Sequence, residues 1–443
     1  MVSTSKLRLG CYGSLLAVVL SYFAWVSFPP SRYEAQSTAI LKRQQENFSA
    51  YQKLAADPTK NAFSDPVMVE YWGRKNKEYR DHSKAQEAIT ALARWGSCSE
   101  WKDTQLGQAL GRKEPAAVEA VTAFEKLYPH LSEVIRRPHF VATYDEPPSL
   151  LTIVPNLVAL RKIAQALSCY SEVCMLRGQQ DKALQANLQI FELGHLLTRQ
   201  NTWLIQSMLA VANQGIGSQT LCYLLQQSSA GWPVAELEKI LLTLEKTQLP
   251  SDMLVNPLEA ELYGMQNSLQ AVVKGDDALA LRFFPGLLQR EWRLYKNDYL
   301  PMLLDIEATG STQRVLPREN LGQWLLGQHG YASAVVIPNL KNAISQSQLA
   351  RQRQAFLHLY VKLLILKSRG HLPATLAQLV SAGFKPLGDL DLDRVEYRVK
   401  PLQIRLKLEP ELAAVTFQPA GWAGSVHWDN LLRPEWVLPR ERL

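Results

Sequence analysis

The sequence predicts a mostly α-helical protein with three parts: a single N-terminal transmembrane helix, an antiparallel helical-hairpin domain of repeat-like character, and a small C-terminal α+β unit. Three observations predict it. Leu9 to Ser31 is a run of 23 residues without a charge. Between Pro155 and Glu245 apolar residues recur at spacings of three and four. After Gly383 the period drops to two.

The uncharged run would form a helix of ~34 Å at ~1.5 Å per residue, enough for a hydrocarbon core of ~30 Å. Tyr22, Phe23, Trp25 and Phe28 crowd its far end as an interfacial belt does, and Pro29-Pro30 stops it. Lys6 and Arg8 precede it, so the positive-inside rule places the N-terminus in the cytoplasm and the bulk outside, at an inner membrane. No small-x-small cleavage site follows, so the segment is expected to remain as an anchor. The expected organisation is a cytoplasmic N-terminus (1–8), the span (9–31), a juxtamembrane and first helical region (32–148), the helical-hairpin domain (149–308), a linker (309–339) and a long helix with a small sheet (340–443).

Each element has a sequence reason. Tyr33 to Ala56 reads as a polar helix. Asp81 to Trp95 has helical spacing and ends at Gly96-Ser97. Pro115 opens a helix with Val118, Val121, Phe124 and Leu127 on one side, and the Pro-bounded stretch from Arg136 to Pro148 is an extended connector. Leu157, Leu160, Ala164, Leu167, Ser171 and Cys174 make one apolar stripe, and Gly178 to Asp181 a turn. A second helix from about Lys182 turns Ala183, Ala186, Ile190, Leu193 and Leu197 inward. The third, Thr202 to Gln227, carries the small residues Ala210, Ala212, Gly215 and Gly217, which admit a close neighbour. The fourth starts at Pro233, with Leu237, Leu241 and Leu244 inward. Further helices are expected over Pro257 to Val273, Arg282 to Leu304 with a break near Pro285, Leu340 to Ser368, and Pro373 to Leu379. Thr309 to Asn320 reads as a linker. Val395, Tyr397 and Val399, then Leu402, Ile404, Leu406 and Leu408, alternate as half-buried strands. Val415 to Gln418 and Val426 to Trp428 are candidate further strands.

Composition excludes whole classes. The hydrophobic share is 47% and the charged share 20%, so the chain can bury a core and is not globally disordered. A mean hydropathy of -0.14 excludes a polytopic membrane protein. The net charge of +7 includes Lys6 and Arg8, and the remaining excess is too modest to imply a nucleic-acid partner. Of the five cysteines, Cys11 lies in the span. Cys98, Cys169, Cys174 and Cys222 read as buried thiols. Cys169 and Cys174, five apart, point ~140° apart on a helix and cannot bond each other.

Three resemblances follow from these residues. Gly178 and Ala183, with small Ser171 before them, resemble a tetratricopeptide hairpin, although Asn187 stands where that motif has an aromatic. Arg161 to Leu197 with the Gly-rich helix after it resembles uncharacterised bacterial membrane-anchored proteins with a large helical extracytoplasmic region. Ser347 to Lys367, then Gly370-His371-Leu372-Pro373-Ala374-Thr375-Leu376, then alternating strands, is similar to the pseudopilins of type II secretion. Leu372 replaces the aromatic of that turn, and the prepilin leader is absent, so the resemblance implies the shape of a module and not pilin assembly.

Chemistry is sparse. The eight histidines lack metal-ligand spacing; His195 and His358 read as ordinary helix residues. No nucleophile elbow and no phosphate-binding glycine loop is present. Asp389, Asp391 and Asp393 alternate as calcium-loop ligands do, but Lys400 stands where the bidentate Glu belongs; a paired or capping role is the simpler reading. Glu261, in Glu259-Ala260-Glu261 before Gly264-Met265-Gln266, is the candidate catalytic carboxylate of a glycan- or peptide-cleaving envelope enzyme. The expected function is a non-catalytic envelope scaffold or assembly factor with no cofactor, a protein partner in the envelope and membrane attachment through residues 9–31. The alternatives are that hydrolase or lyase, or an accessory part of a secretion or pilus-like system.

Overall fold

The computed structural model describes residues 33–69, 84–95, 105–142, 157–199, 203–227, 231–274, 285–309, 331–388, 390–398, 403–406 and 435–437. It is mostly helical. The helices are α1 (Glu34–Ala55), α2 (Lys84–Ala93), α3 (Gln105–Gly111), α4 (Pro115–Ile135), α5 (Leu157–Leu176), α6 (Gln180–Arg199), α7 (Leu204–Gln227), α8 (Val234–Lys246), α9 (Val255–Lys274), α10 (Pro285–Thr309), α11 (Tyr331–Ser368) and α12 (Leu376–Ser381). Three short strands follow: β1 (Val395–Arg398), β2 (Gln403–Leu406) and β3 (Glu435–Val437). They are antiparallel in the order β1-β2-β3, with Val395 opposite Leu406 and Ile404 opposite Trp436. No helix among the described residues is long and apolar enough to cross a membrane; the predicted span, Leu9 to Ser31, lies outside them. So do the candidate strands Val415 to Gln418 and Val426 to Trp428.

The chain divides into two compact units. The first comprises Met1–Asn47, Glu146–Thr152 and Leu258–Lys341, and the second Phe48–Asp145, Ile153–Pro257 and Asn342–Leu443. Within the first unit, Ile40, Leu258, Leu262, Leu294, Leu300, Leu303 and Ile306 are buried. Tyr295 and Tyr299 stack with ring centroids 4.9 Å apart, and the Tyr299 hydroxyl donates to the Leu258 carbonyl at 3.0 Å.

Within the second unit, α5, α6 and α7 pack consecutively, and α7 also contacts α5. The α5–α6 hairpin is closed by local chemistry. Gly178 sits at φ +73°, a conformation that Gly adopts without a Cβ penalty. The Gln179 N–H then reaches back to the Cys174 carbonyl at 2.8 Å, satisfying one of the helix's terminal acceptors. Ser171 Oγ donates to the Ala183 carbonyl at 2.6 Å, so the two helices cross at these small, buried residues. Asn187 donates to the Gly217 carbonyl at 3.0 Å and is fully buried. An aromatic at that position would have to displace the backbone of α7. The glycines set the distance: a Cβ at Gly217 would lie 3.0 Å from the Phe191 ring, and one at Gly194 3.2 Å from the Ala210 carbonyl. Cys169 and Cys174 are buried free thiols, and Cys222 is also free.

Several boundaries differ from those read off the sequence. Val118 does not join its helix's inner face but is 44% exposed, because Ala117, Ala120, Val121 and Phe124 define that face. Pro285 opens α10 and does not break it, since the first turn needs no proline N–H. Pro301 lies inside α10 without ending it. The helix α11 starts at Tyr331, within the stretch read as a linker, and passes through Pro338. Gly370, at φ +72°, ends it, and Thr375 caps α12 by accepting from the Gln378 N–H at 3.3 Å.

Candidate functional site

The sequence-derived carboxylate candidate lies in the first unit, on α9. There the neighbour Glu259 carries the obvious structural role. It is 3% exposed and receives both arms of the Arg43 guanidinium, with Arg43 Nε 3.1 Å from Oε2. Gln44 Nε2 adds a third donor at 2.9 Å. A carboxylate with three donors is a satisfied buried anion, one that ties α1 to α9. Glu261, two residues on, is half-buried and within electrostatic range of Tyr295 and Tyr299, whose hydroxyls burial holds well above the ordinary phenol range. A second pair in this unit joins Lys296 to Glu34; the ammonium also lies 5.3 Å from the Trp292 ring centroid.

The aspartates after Gly388 have local roles where they are described. Asp391 Oδ1 accepts from the Asp393 N–H at 3.0 Å and caps the short 3-10 turn Leu392–Arg394. Asp389 lies outside the described residues. Among the described residues no group of three His, Cys, Asp or Glu side chains could hold a metal ion.

Two polar clusters in the second unit were not singled out by sequence spacing. The first centres on Asp65, fully buried, which meets His130 Nε2 at 2.9 Å, Arg137 Nη2 at 2.8 Å and the N–H groups of Val67 and Met68 at 3.0 and 3.1 Å. Burial alone would raise its carboxyl; the His130 and Met68 bonds and the Arg137 charge outweigh that and hold it below the usual range. Nearby, Asn61 Nδ2 donates to the Val141 carbonyl at 2.8 Å, and the Val141 N–H returns to Asn61 Oδ1 at 2.9 Å. Asp65 Oδ1 and both amide atoms of Asn61 have hydrogen-bond partners, while the buried Asp65 Oδ2 has the Arg137 charge beside it but no hydrogen bond.

The second cluster has the opposite character. Between Asn187 and Gln214, on α6 and α7, seven buried side-chain atoms have no hydrogen-bond partner. They include Glu192 Oε2, His195 Nδ1 and both polar atoms of Asn213. Glu192 and His195 are three apart on α6 and so share a face. Gln189, three residues before Glu192, bonds to Ser132 of α4, which aims this face at the C-terminal end of α4. Arg136, at that end, and Lys246, in the last turn of α8, act on Glu192; Arg199 and Lys246 act on His195. These three cations are exposed, whereas Glu192 and His195 are half-buried. Burial pushes the Glu192 carboxyl up, against the pull of Arg136 and Lys246. Burial lowers the His195 imidazole to about 4, and the adjacent cations add to that. The imidazole is therefore neutral at neutral pH, while at Glu192 burial and the two cations pull the carboxyl in opposite directions, burial being the larger.

A narrow recess lies between α7 and α11, lined by Gln214, Ser218, Gln346 and Arg353. The Gln214 Nε2 bonds the Phe191 and Thr247 carbonyls, each at 3.3 Å, and Gln354 joins the same junction through the Leu244 and Thr247 carbonyls. These amides pin the end of α8 and serve packing.

The signal that could have found Glu192 and His195 is their one-turn spacing on a helix whose opposite face is apolar. The cations around them come from α4 and α8, which spacing along α6 cannot reveal. No protein-family model, curated protein or solved structure matches this chain.

Proposed function

We propose that this chain is a membrane-anchored, extracytoplasmic scaffold or assembly factor of the cell envelope, binding other envelope proteins without catalysis. In this reading Leu9 to Ser31 is a single transmembrane helix, α5 to α8 form the helical-hairpin body, and the residues after α11 form a small α+β unit. The observation that carries the reading is the α5–α6–α7 layer. Its hairpin turn at Gly178, its Ser171–Ala183 crossing and its close glycine contacts build stacked helices, an architecture whose faces suit extended partners. The uncharged run behind Lys6 and Arg8 supports the anchor and its orientation. An anchored scaffold gains effective concentration at the membrane surface, so a weak contact suffices for assembly.

The test is extraction of the full chain from native membranes in mild detergent, followed by mass determination of the particle and its components. A stoichiometric second envelope protein is the expected result. A lone protomer or homo-oligomer would overturn the scaffold reading.

A further inference from the structure

We propose that residues 383–388, between α12 and β1, form a strap over the α8–α11 junction that acid releases, with His358 as its sensor. This goes beyond the scaffold reading and does not rest on it.

The strap is set by local geometry. Gly383 and Gly388 bracket it at φ +89° and +53°, backbone that residues with a Cβ rarely adopt. Between them Phe384 is buried and Lys385 is exposed. The Phe384 ring stacks on the His358 ring of α11, with centroids 5.6 Å apart and an interplanar angle of 21°. At the other end Gly388 lies on Gln248, just past α8; a Cβ there would come within 2.8 Å of the Gln248 amide nitrogen. The strap therefore touches both sides of the junction. Beneath it, His358 Nε2 lies 3.0 Å from Glu245 Oε1 of α8.

This arrangement suits a neutral imidazole. The Glu245 carboxylate can only accept, so Nε2 carries the proton. Nδ1 is left with a lone pair, closed to solvent and without a hydrogen-bond partner among the described residues. A second proton would make Nδ1 a buried donor with no acceptor. The His358 side chain is 3% exposed and that of Glu245 45%, so water screens the attraction that would otherwise hold an imidazolium in place. Lifting Phe384 away admits water to the imidazole and removes the penalty.

The charged groups acting on His358 are Glu245, from α8, and Lys362, from α11 itself; the strap's own cation, Lys385, points to solvent. Burial pushes the imidazole below its ordinary value, the Glu245 bond and charge oppose that, and Lys362 adds to it. The closed strap is therefore favoured in full above about pH 6.5, and the preference is lost as the pH falls through the closed-state value.

The test places 4-fluorophenylalanine at position 384 of the purified full chain and follows its fluorine resonance from about pH 7.5 to about pH 5. At the upper end one resonance is expected, unchanged between light and heavy water. In acid a second, solvent-sensitive resonance should grow reversibly, the open-to-closed ratio rising roughly tenfold while the helical circular dichroism holds. His358→Gln can still donate to Glu245 but cannot take up a proton, so it should keep the buried resonance throughout. Glu245→Gln keeps an acceptor, at a side chain open to water, and removes the charge that favours an imidazolium under the strap. Its open resonance should gain weight at about pH 5. A wild-type resonance that stays buried in acid would mean that the Phe384 stack accommodates the imidazolium, and would overturn the proposal. So would an unchanged acid response in His358→Gln, a loss of open weight in Glu245→Gln, or an open resonance that appears only as helical circular dichroism is lost.

Discussion

The α1–α9 seam of the first unit and the α6–α7 layer of the second both bury charge and amide groups, but they settle them in opposite ways. At the seam, Glu259 is enclosed and fully matched by Arg43 and Gln44. In the layer, Glu192, His195 and Asn213 keep atoms without partners. A matched buried charge holds helices together, and removing one member leaves the other stranded. An unmatched buried group weakens the fold by its lost hydration and persists where something else depends on it. The contrast separates buried polarity that joins helices from buried polarity that costs stability.

The sharpest way to break the contrast is at Glu259. Glu259→Ala removes the acceptor of the Gln44 Nε2 bond and leaves Arg43 to rehydrate; because Arg43 is half exposed, the cost should fall at the low end for buried pairs, about 3 kcal/mol. Thermal and urea unfolding of the purified full chain would read it. A change below 1 kcal/mol would mean the seam is no more than a surface contact. Next comes the packing distance of the layer. Gly217→Val places a branched side chain against the Phe191 ring, which is fully buried and cannot retreat. Overpacking should cost about 2 kcal/mol. Unchanged unfolding would mean that α6 and α7 are farther apart than described.

How much of this was legible in the sequence follows from the same residues. The α5–α6 hairpin was, because Gly178 and Ala183 act locally and the 3.6-residue period survives on each helix. The start of α11 was not. Pro338 and the glycines before it mimic a linker, while the described helix continues through Pro338. The strand β3 escaped because Glu435-Trp436-Val437 is too short to show a period, and its pairing with β2 is non-local. Glu261 drew attention through its motif-like neighbours, whereas Glu259, two residues earlier, is the enclosed one. Pairing with Arg43 across more than two hundred residues leaves no trace in local spacing. The rim of Arg136, Arg199 and Lys246 was invisible for the same reason.

The layer should respond to mutation with the opposite sign. Asn213 is fully buried with both amide atoms unpaired, so Asn213→Leu removes a desolvation penalty at similar volume. A gain of about 1 kcal/mol in unfolding free energy is expected. A loss would mean that a water or a neighbouring group satisfies the amide, and the unmatched character would fail there. The pH dependence carries the same sign logic. Folding lowers His195 from 6.5 to about 4, so its contribution is complete above about pH 6.5 and is lost as the pH falls toward 4. Folding raises Glu192 above 4.5, so its contribution is present below that pH and is lost as the pH rises through the folded value. Glu192→Gln should therefore stabilise the chain at pH 7.5 and lose that advantage near pH 4. His195→Gln should remove part of the acid sensitivity between pH 6.5 and 4. Melting curves of the three proteins across that range would show it; parallel curves would place both groups in water.

The smallest effect tests whether burial, and not the mere presence of an ion pair, makes the difference. Arg369 and Glu238 form a close pair as Arg43 and Glu259 do, and each of its side chains is 51% exposed. Water competes for both charges, salt screens them, and two long side chains lose rotamer freedom to meet. Arg369→Ala should change the unfolding free energy by less than ~0.5 kcal/mol, and that small effect should vanish in ~0.5 M salt. The Glu259 variant should keep most of its defect in the same salt, because its carboxylate is 4% exposed and mobile ions cannot approach it. If both defects faded together, Glu259 would be behaving as a surface carboxylate, and the distinction between the matched seam and the open layer would rest on the layer alone.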